Sequence, residues 1–258
     1  MTLTTTRGWV VGVTLLGAVG VAACGHGQPG SPTPVLPARV VYERAMQQYR
    51  TGHCGQARDD FQTLTSQLQP ADTLVALSLY YQAECDFADG LYLEASHGFR
   101  RVADEHSSFR LAADALLRAG DAQAALWTEP ELDPEYGEDA MTTYRELLAR
   151  FADSRAAARA KVKIAALTDQ FADKEYRNGI FYLRLKAYDS AILYFRGVVA
   201  DYPQSQFAPP ALVRLVQIYR TLGYTQERQD TCDHLRRYYP QASGLAEQCP
   251  AADSTSAR

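Results

Sequence analysis

A basic excess is absent from this 258-residue chain, and lysine in particular is scarce. Its 26 lysines and arginines are outweighed by 30 aspartates and glutamates, which gives a formal net charge of −4. Only four of the basic residues are lysines. Proteins that bind nucleic acids usually carry a clear basic excess. The charge balance therefore argues against a nucleic-acid partner.

Long apolar runs are also absent. The longest, Trp9–Val21, has 13 residues, whereas a membrane-spanning helix needs about 20. Arg7 precedes this run, and Val-Ala-Ala-Cys closes it at residues 21–24. The arrangement predicts a signal peptide over residues 1–23 and resembles the bacterial lipobox, in which the cysteine, here Cys24, becomes the acylated first residue. The alternative is an ordinary signal peptide with an incidental cysteine.

The segment that follows has no apolar periodicity. Residues 24–37 contain four prolines and three glycines, so we expect a lipidated, disordered tether that reaches at most ~40 Å at ~3.1 Å per residue. Gly25 stands where some bacterial lipoproteins carry the aspartate that retains them in the inner membrane. By this resemblance, the destination is the outer membrane, on its periplasmic face. Residues 250–258 are expected to be a disordered tail.

Catalytic signatures are missing as well. The five histidines stand in no zinc-protease motif, and the chain has neither a G-x-S-x-G nucleophile elbow nor a phosphate-binding glycine loop. His53-Cys54 and Cys232-x-His234 are weak metal or thiol signals, because ordinary surface histidines explain them equally well. We therefore expect no enzyme activity, no cofactor and no metal.

Residues 38–249 show a helical pattern nearly throughout, which predicts an all-α domain. A motif recurs within it: Gly52, Ala57 and Phe61 stand at spacings of five and four, and residues 90–99 repeat these spacings. The aromatic position returns at Phe61, Phe99, Tyr144 and Phe195, and as Cys232 in the last copy. A glycine that ends one helix, an alanine that allows close approach and an aromatic that fills the gap are features of the tetratricopeptide repeat. We expect an α-solenoid of about five helix hairpins.

The steps between repeats exceed the usual ~34 residues, so insertions are required. One is the loop over residues 128–139. Another is residues 155–186, which contain no proline and no glycine before Gly179 and are expected to form one long helix or two nearly coaxial ones. Lys186 stands where other repeats have glycine.

Three stretches carry a family resemblance: ARVVYERAMQQYRTGHCGQARDDFQTL, LDPEYGEDAMTTYRELLARFADS and ADKEYRNGIFYLRLKAYDSAILYFRGVVADYPQS. Over residues 38–240 the chain resembles the BamD family, lipoproteins of the bacterial outer-membrane β-barrel assembly machine. The resemblance implies a non-enzymatic scaffold whose N-terminal repeats bind unfolded barrel precursors. Its C-terminal repeats would dock the POTRA domains of BamA, alongside other lipoproteins of the complex.

Two rival functions remain at this stage. One is another periplasmic tetratricopeptide-repeat lipoprotein that scaffolds cell-wall or envelope-division complexes. The other is an accessory or metal-binding lipoprotein that uses its cysteines.

Four cysteines besides Cys24 stand in pairs around prolines. Cys54 and Cys85 lie 16 and 15 residues from Pro70, and Cys232 and Cys249 lie 8 and 9 residues from Pro240. Residues equidistant from the turn of a helix hairpin face each other, and the periplasm is oxidising. The pairing 54–85 and 232–249 is therefore favoured over the other two, with free, buried cysteines as the alternative.

A peptide-binding face is predicted from the repeat numbering. Counting Ala57 and Ala95 as the twentieth repeat position places five groove candidates on the concave side: Tyr42, Tyr49, Arg50, Tyr80 and Glu84. An aromatic groove with an arginine suits an extended peptide that ends in an aromatic residue. The family resemblance implies the β-signal of barrel precursors as that ligand. The alternative is that these tyrosines pack between repeats.

Overall fold

The computed structural model describes residues 36–250. The predicted signal peptide, Cys24, most of the tether and nearly all of the tail lie outside these residues. Within them every regular element is an α-helix: α1 Ala38–Arg50, α2 Cys54–Gln67, α3 Thr73–Ala88, α4 Tyr92–Glu105, α5 Ala112–Leu126, α6 Glu135–Arg150, α7 Arg155–Arg184, α8 Tyr188–Asp201, α9 Ala208–Leu222, α10 Thr225–Tyr238 and α11 Leu245–Gln248. No helix in the described part is long and apolar enough to cross a membrane.

The helices pair into five consecutive hairpins, each packed against the next: α1–α2, α3–α4, α5–α6, α7–α8 and α9–α10. The short α11 packs on α9 and α10. This is the tetratricopeptide-repeat α-solenoid that the sequence predicted.

The turns within the hairpins share one backbone geometry. Gly52, Gly90 and Gly223 have φ angles of 78°, 77° and 75°, and the amide after each donates to a carbonyl five residues back, as His53 does to Gln48 at 2.9 Å. This is the Schellman ending, which glycine adopts because it has no Cβ to clash. The turn between α7 and α8 has the same bonds but places Lys186 at φ 58°.

The predicted aromatic anchors form the core between hairpins. Phe61, Phe99, Tyr144 and Phe195 are at most 1% exposed. Phe195 packs so closely on Gly179 of α7 that an added Cβ there would lie 2.6 Å from the ring. Small residues opposite the anchors therefore set the approach of neighbouring helices.

The long segment is one continuous helix of 30 residues, α7. Its residues up to Phe171 belong to the core cluster of α3–α6, and those from Ala172 belong to the cluster of α8–α11. It also holds the loop that precedes α6. The Gln170 side-chain amide donates to the Trp127 carbonyl at 3.0 Å, and Lys174 Nζ donates to the Leu132 carbonyl at 2.8 Å. One insertion is therefore α7 itself, and the other, the loop before α6, is hydrogen-bonded to α7.

Cys232 and Cys249 form a disulfide, with their Cα atoms 5.6 Å apart. The bond is the one favoured from the spacing around Pro240, and it ties α10 to the residue that ends α11. Cys232 occupies the aromatic anchor position of the last repeat and is 4% exposed. The bond therefore fills a core site that an aromatic ring fills in the other hairpins.

The other favoured pairing needs correction, because Cys54 and Cys85 are free thiols. They do face each other across α2 and α3, close enough for Cys54 to raise the pKa of the Cys85 thiol. Burial, followed by the contact with Cys54, raises the pKa of the Cys85 thiol. Disulfides form by attack of a thiolate, so burial disfavours the reacting species. The two residues instead pack as small apolar side chains in the cluster with Phe61.

This arrangement predicts the thiol content of the protein. In a Cys24→Ala chain unfolded without reductant, two thiols should react with an alkylating agent, and mapping should place them at Cys54 and Cys85. In the native chain both should react slowly, because they are 7% and 0% exposed. Peptide mapping under non-reducing conditions should find only the Cys232–Cys249 link. A linked peptide that contains Cys54 and Cys85 would contradict the structure.

Candidate functional site

Aromatic rings of α1 and α3 form a connected row. The ring of Tyr81 lies 5.1 Å from that of Tyr49, 5.4 Å from that of Tyr80 and 6.1 Å from that of Phe61. Tyr42 extends the row through Phe61, with ring centroids 6.2 Å apart. The predicted tyrosines of two repeats are therefore brought together, with Tyr81 at the centre.

These tyrosines pack between the repeats and are also partly exposed to solvent. Tyr42, Tyr49 and Tyr80 are each half-buried, and the ring of Tyr80 packs edge-on against Phe99 at 5.4 Å. The sequence left two alternatives, a peptide-binding face or tyrosines that pack between repeats. In the structure the same rings take part in the packing and remain partly exposed. Truncating Tyr80 to alanine would remove a core contact as well as a surface ring.

Glu84, the predicted acidic member of the groove, is committed to an ion pair. The Arg118 guanidinium of α5 donates to both of its carboxylate oxygens, at 2.9 and 2.8 Å. Arg118 also lies over the ring of Phe87, 4.0 Å from its centroid. The two side chains are only 20% and 15% exposed. The pair connects the second and third hairpins and fixes the position of the carboxylate.

The polar contacts continue from α5 to α7. Asp121, whose side chain is 8% exposed, pairs with Lys163 at 3.1 Å and with Arg118 at 3.5 Å. It also accepts a hydrogen bond from the Tyr144 hydroxyl at 2.9 Å. We call the connected surface formed by Tyr42, Tyr49, Tyr80, Tyr81, Glu84, Arg118, Asp121 and Lys163 the first-helix face, because each residue belongs to the first helix of a hairpin.

Burial is the main influence on the pKa of the tyrosines of this face. Burial, followed by the nearby Glu84 carboxylate, raises the pKa of Tyr80. Burial likewise raises the pKa of Tyr42, while Arg110 and Arg50 act in the opposite direction. The hydroxyls are therefore hydrogen-bond donors at neutral pH. The remaining predicted residue is Arg50. It is exposed, as is Arg110, and the positive charge of each lowers the pKa of Tyr42.

Four residues of this face were not predicted from the sequence: Tyr81, Arg118, Asp121 and Lys163. The repeat numbering located Tyr80 but discarded the adjacent Tyr81, which the actual rotation of α3 brings into the same row. Arg118, Asp121 and Lys163 were not found because the third and fourth repeats contain insertions. Counting back from the aromatic anchors of these repeats therefore does not locate the corresponding positions of their first helices. An arginine and an aspartate three residues apart in a predicted first helix were the available signal.

A second surface lies on the last two hairpins. A cleft of 470 Å³ opens between α8, α9 and α10, with Leu212, Leu215 and Tyr219 on its floor. Its rim is charged and polar, and is formed in part by Arg196, Glu227, Asp230 and His234. Next to it, α8 presents Leu193, which is 70% exposed. An apolar centre with a polar rim is the usual composition of a protein-binding surface.

The fold and these two surfaces define a helical-repeat scaffold. The family model described as YfiO, outer membrane lipoprotein, matches residues 35–235. The chain therefore belongs to this family of outer membrane lipoproteins. Family membership identifies it as a non-catalytic scaffold, as the sequence predicted.

Curated relatives share the name outer membrane protein assembly factor BamD. The Caulobacter vibrioides protein is 26% identical over 216 residues, which cover 83% of this chain and 70% of that protein. The Neisseria meningitidis serogroup A protein is 25% identical over 59% of this chain and 60% of its own length. The Rickettsia prowazekii protein is 31% identical over 38% of this chain and 39% of its own length.

Solved structures with similar helices include a tetratricopeptide-repeat protein of Thermus thermophilus. It is 17% identical, covers 81% of this chain and 95% of its own, and has a TM-score of 0.37. The TPR2AB domain of yeast Sti1, described as a pHSP90 complex, is 12% identical, covers 79% of this chain and 78% of its own, and has a TM-score of 0.41.

The Glu84–Arg118 pair predicts energetic coupling between the second and third hairpins. In a double-mutant cycle of Glu84→Gln and Arg118→Met, urea unfolding should give a coupling energy of about 1–2 kcal/mol, because the pair is bidentate and largely buried. The exposed pair Arg101–Glu105, with side chains 54% and 52% exposed, is the matched control and should couple by about 0.5 kcal/mol or less. Equal coupling in the two cycles would show that Arg118 does not hold the hairpins together.

Proposed function

We propose that this chain is a scaffold of outer-membrane protein assembly that receives the β-signal of unfolded barrel precursors on its first-helix face. The observation that carries the proposal is the connected row of half-buried tyrosines across the first two hairpins. Exposed ring edges offer apolar contact to an aromatic side chain, and the protonated hydroxyls can donate to backbone carbonyls of an extended peptide. The family's description and the relatives' shared name support this function.

Two arginines outside the first-helix face, Arg50 and Arg110, offer positive charge for the C-terminal carboxylate of such a peptide. Arg118 is already neutralised by Glu84 and Asp121. Within residues 36–250, neither Arg50 nor Arg110 pairs with a carboxylate, and the positive charge of both lowers the pKa of Tyr42, against the larger effect of burial. A terminal carboxylate placed beside Tyr42 would gain two guanidinium partners. The peptide would thus bind with its C-terminal end towards Tyr42.

The test is binding of a β-signal peptide with a free C-terminal carboxylate, compared with the same peptide carrying a C-terminal amide. Fluorescence anisotropy should show that the double variant Arg50→Gln and Arg110→Gln weakens binding of the free-acid peptide about tenfold or more, because hydrogen bonds to charged groups contribute about 1.5–3 kcal/mol. Amidation should weaken binding to the parent chain by a similar factor. Amidation should have little further effect on the double variant.

Arg39→Gln is the matched control, because Arg39 is an exposed arginine of the same helix that pairs with Glu43. It should bind both peptides as the parent does. Circular dichroism melts should show the same stability for all these chains. If the parent does not bind the free-acid peptide, precursor binding is refuted. If the double variant still distinguishes acid from amide, the carboxylate is recognised elsewhere.

We further propose that the cleft of the last two hairpins, together with Leu193, docks the POTRA domains of BamA. The resemblance to the BamD family suggests this partner. The apolar floor, the charged rim and the exposed leucine supply a surface of suitable composition. Other lipoproteins of the assembly complex are further partners that the resemblance implies.

Leu193→Asp should weaken binding of a purified POTRA fragment about tenfold or more in calorimetric titration, since a charge placed in an apolar contact is left without a partner. Val162→Asp is the matched control, because Val162 is also 70% exposed but lies in the first half of α7. Neither change should alter the melting temperature appreciably, because both side chains are on the surface. Equal losses for the two variants, or none for Leu193→Asp, would place the docking surface elsewhere.

The attachment to the membrane is also a proposal for this chain. The Val-Ala-Ala-Cys sequence at residues 21–24 supports acylation of Cys24, and the description of the family as outer membrane lipoproteins agrees with it. Residues 24–37 would then tether the hairpins to the periplasmic face. Several acyl chains on one cysteine would suffice for stable anchoring.

A further inference from the structure

Two large apolar side chains are more than half exposed at the turn between α7 and α8. Phe181 and Leu185, four residues apart at the end of α7, are 57% and 62% exposed. Residues at this spacing lie on the same side of a helix. Together with Arg184 and Lys186, which are also exposed, they form what we call the α7–α8 tip.

No ion pair neutralises the two cations of the tip within the part of the chain that the structure describes. Among the described residues, neither Arg184 nor Lys186 lies within ion-pair distance of a carboxylate, although Asp189 follows shortly in the sequence. The neighbouring Arg177, by contrast, pairs with both Asp173 and Glu131. The tip therefore presents two apolar side chains with two unpaired positive charges beside them.

The backbone at Lys186 indicates that the lysine has a use other than stability. The equivalent position of three other hairpins is Gly52, Gly90 or Gly223, and the left-handed conformation strains any residue that has a Cβ. Glycine at position 186 would make the same turn without strain. Strained backbone that persists in a structure is a reason to look for a function of the side chain involved.

The tip is also held in place. The ring of Tyr182 stacks on that of Tyr194 of α8, with centroids 5.3 Å apart and an interplanar angle of 10°. The Tyr182 carbonyl accepts the amide hydrogen of Ala187 at 3.0 Å, which closes the turn. Phe181 and Leu185 are consequently presented by a defined turn.

We propose that the α7–α8 tip is a membrane-contact site for anionic phospholipid. Phe181 and Leu185 would enter the boundary between headgroups and acyl chains, and Arg184 and Lys186 would pair with lipid phosphates. Exposed apolar side chains flanked by lysine and arginine are the composition that an anionic interface binds. A membrane is the partner that we propose because the chain belongs to a family of outer membrane lipoproteins. The inference does not depend on precursor binding by the first-helix face.

The test uses the chain without its predicted signal peptide, residues 1–23, and with Cys24→Ala, so that neither the apolar run Trp9–Val21 nor acyl chains can contribute. It should co-sediment with vesicles of phosphatidylethanolamine and phosphatidylglycerol, and much less with vesicles of phosphatidylcholine alone. Lys186→Gly should weaken the partition into anionic vesicles about fivefold, the effect expected for one basic residue at such a surface, while its melting temperature rises. A purely structural role for position 186 cannot produce this combination. The double variant Phe181→Ala and Leu185→Ala should lose about tenfold or more.

Val162→Ala is the matched control, because this exposed apolar residue of the same helix lies outside the tip. It should bind vesicles as the parent does. The proposal is overturned if the parent ignores anionic vesicles, if Lys186→Gly binds them equally well, or if Val162→Ala loses as much as the tip variants. It is also overturned if the tip variants bind vesicles normally but lose affinity for the POTRA fragment, since the turn would then serve a protein partner.

Discussion

The packing of α7 against two sets of hairpins is the constraint on which the rest of this molecule depends. Its first half completes the core that contains Trp127 and Phe171, and its second half begins the core that contains Phe195. Trp127 and Phe171 pack with ring centroids 4.6 Å apart. Because an α-helix of 30 residues is about 45 Å long, the same rigid element serves both cores. The loop before α6 can depart from the repeat pattern because α7 supplies its hydrogen-bond donors.

A second constraint, at the first-helix face, is the neutralisation of Arg118. The ion pairs with Glu84 and Asp121 and the position over Phe87 hold this guanidinium in a largely buried place. A buried cation without partners would be costly, so these two carboxylates are needed by the fold and are not free to receive a ligand. The charge left for a peptide is therefore that of the exposed arginines near Tyr42.

The hairpins were predictable from the sequence because their signals are local. A glycine at the end of the first helix, an alanine five residues on and an aromatic four residues later determine one turn and one core site, as at Gly90, Ala95 and Phe99. The first-helix face was predictable only where this spacing is regular, which is why Tyr49 and Tyr80 were found and Arg118 was not. The cysteines show a different limit. The spacing around Pro70 and Pro240 correctly brings both pairs together, but the chemical state of each pair depends on burial and thiolate formation, which spacing does not encode.

The cations without a carboxylate partner fall into two groups, according to whether the local backbone stabilises the residue at its position. Arg50 and Arg184 stand in the last turns of α1 and α7, where the partial negative charge of a helix C-terminus stabilises a cation by about 0.3–1 kcal/mol. Both can therefore remain without a carboxylate partner at little cost. Arg110 precedes the first turn of α5, where the same dipole disfavours positive charge, and Lys186 is held in strained backbone. Arg110 gains nothing from the α5 dipole, and Lys186 retains a backbone conformation that glycine would adopt without strain. Under the two proposals above, a peptide carboxylate at Arg110 and a lipid phosphate at Lys186 would offset these costs.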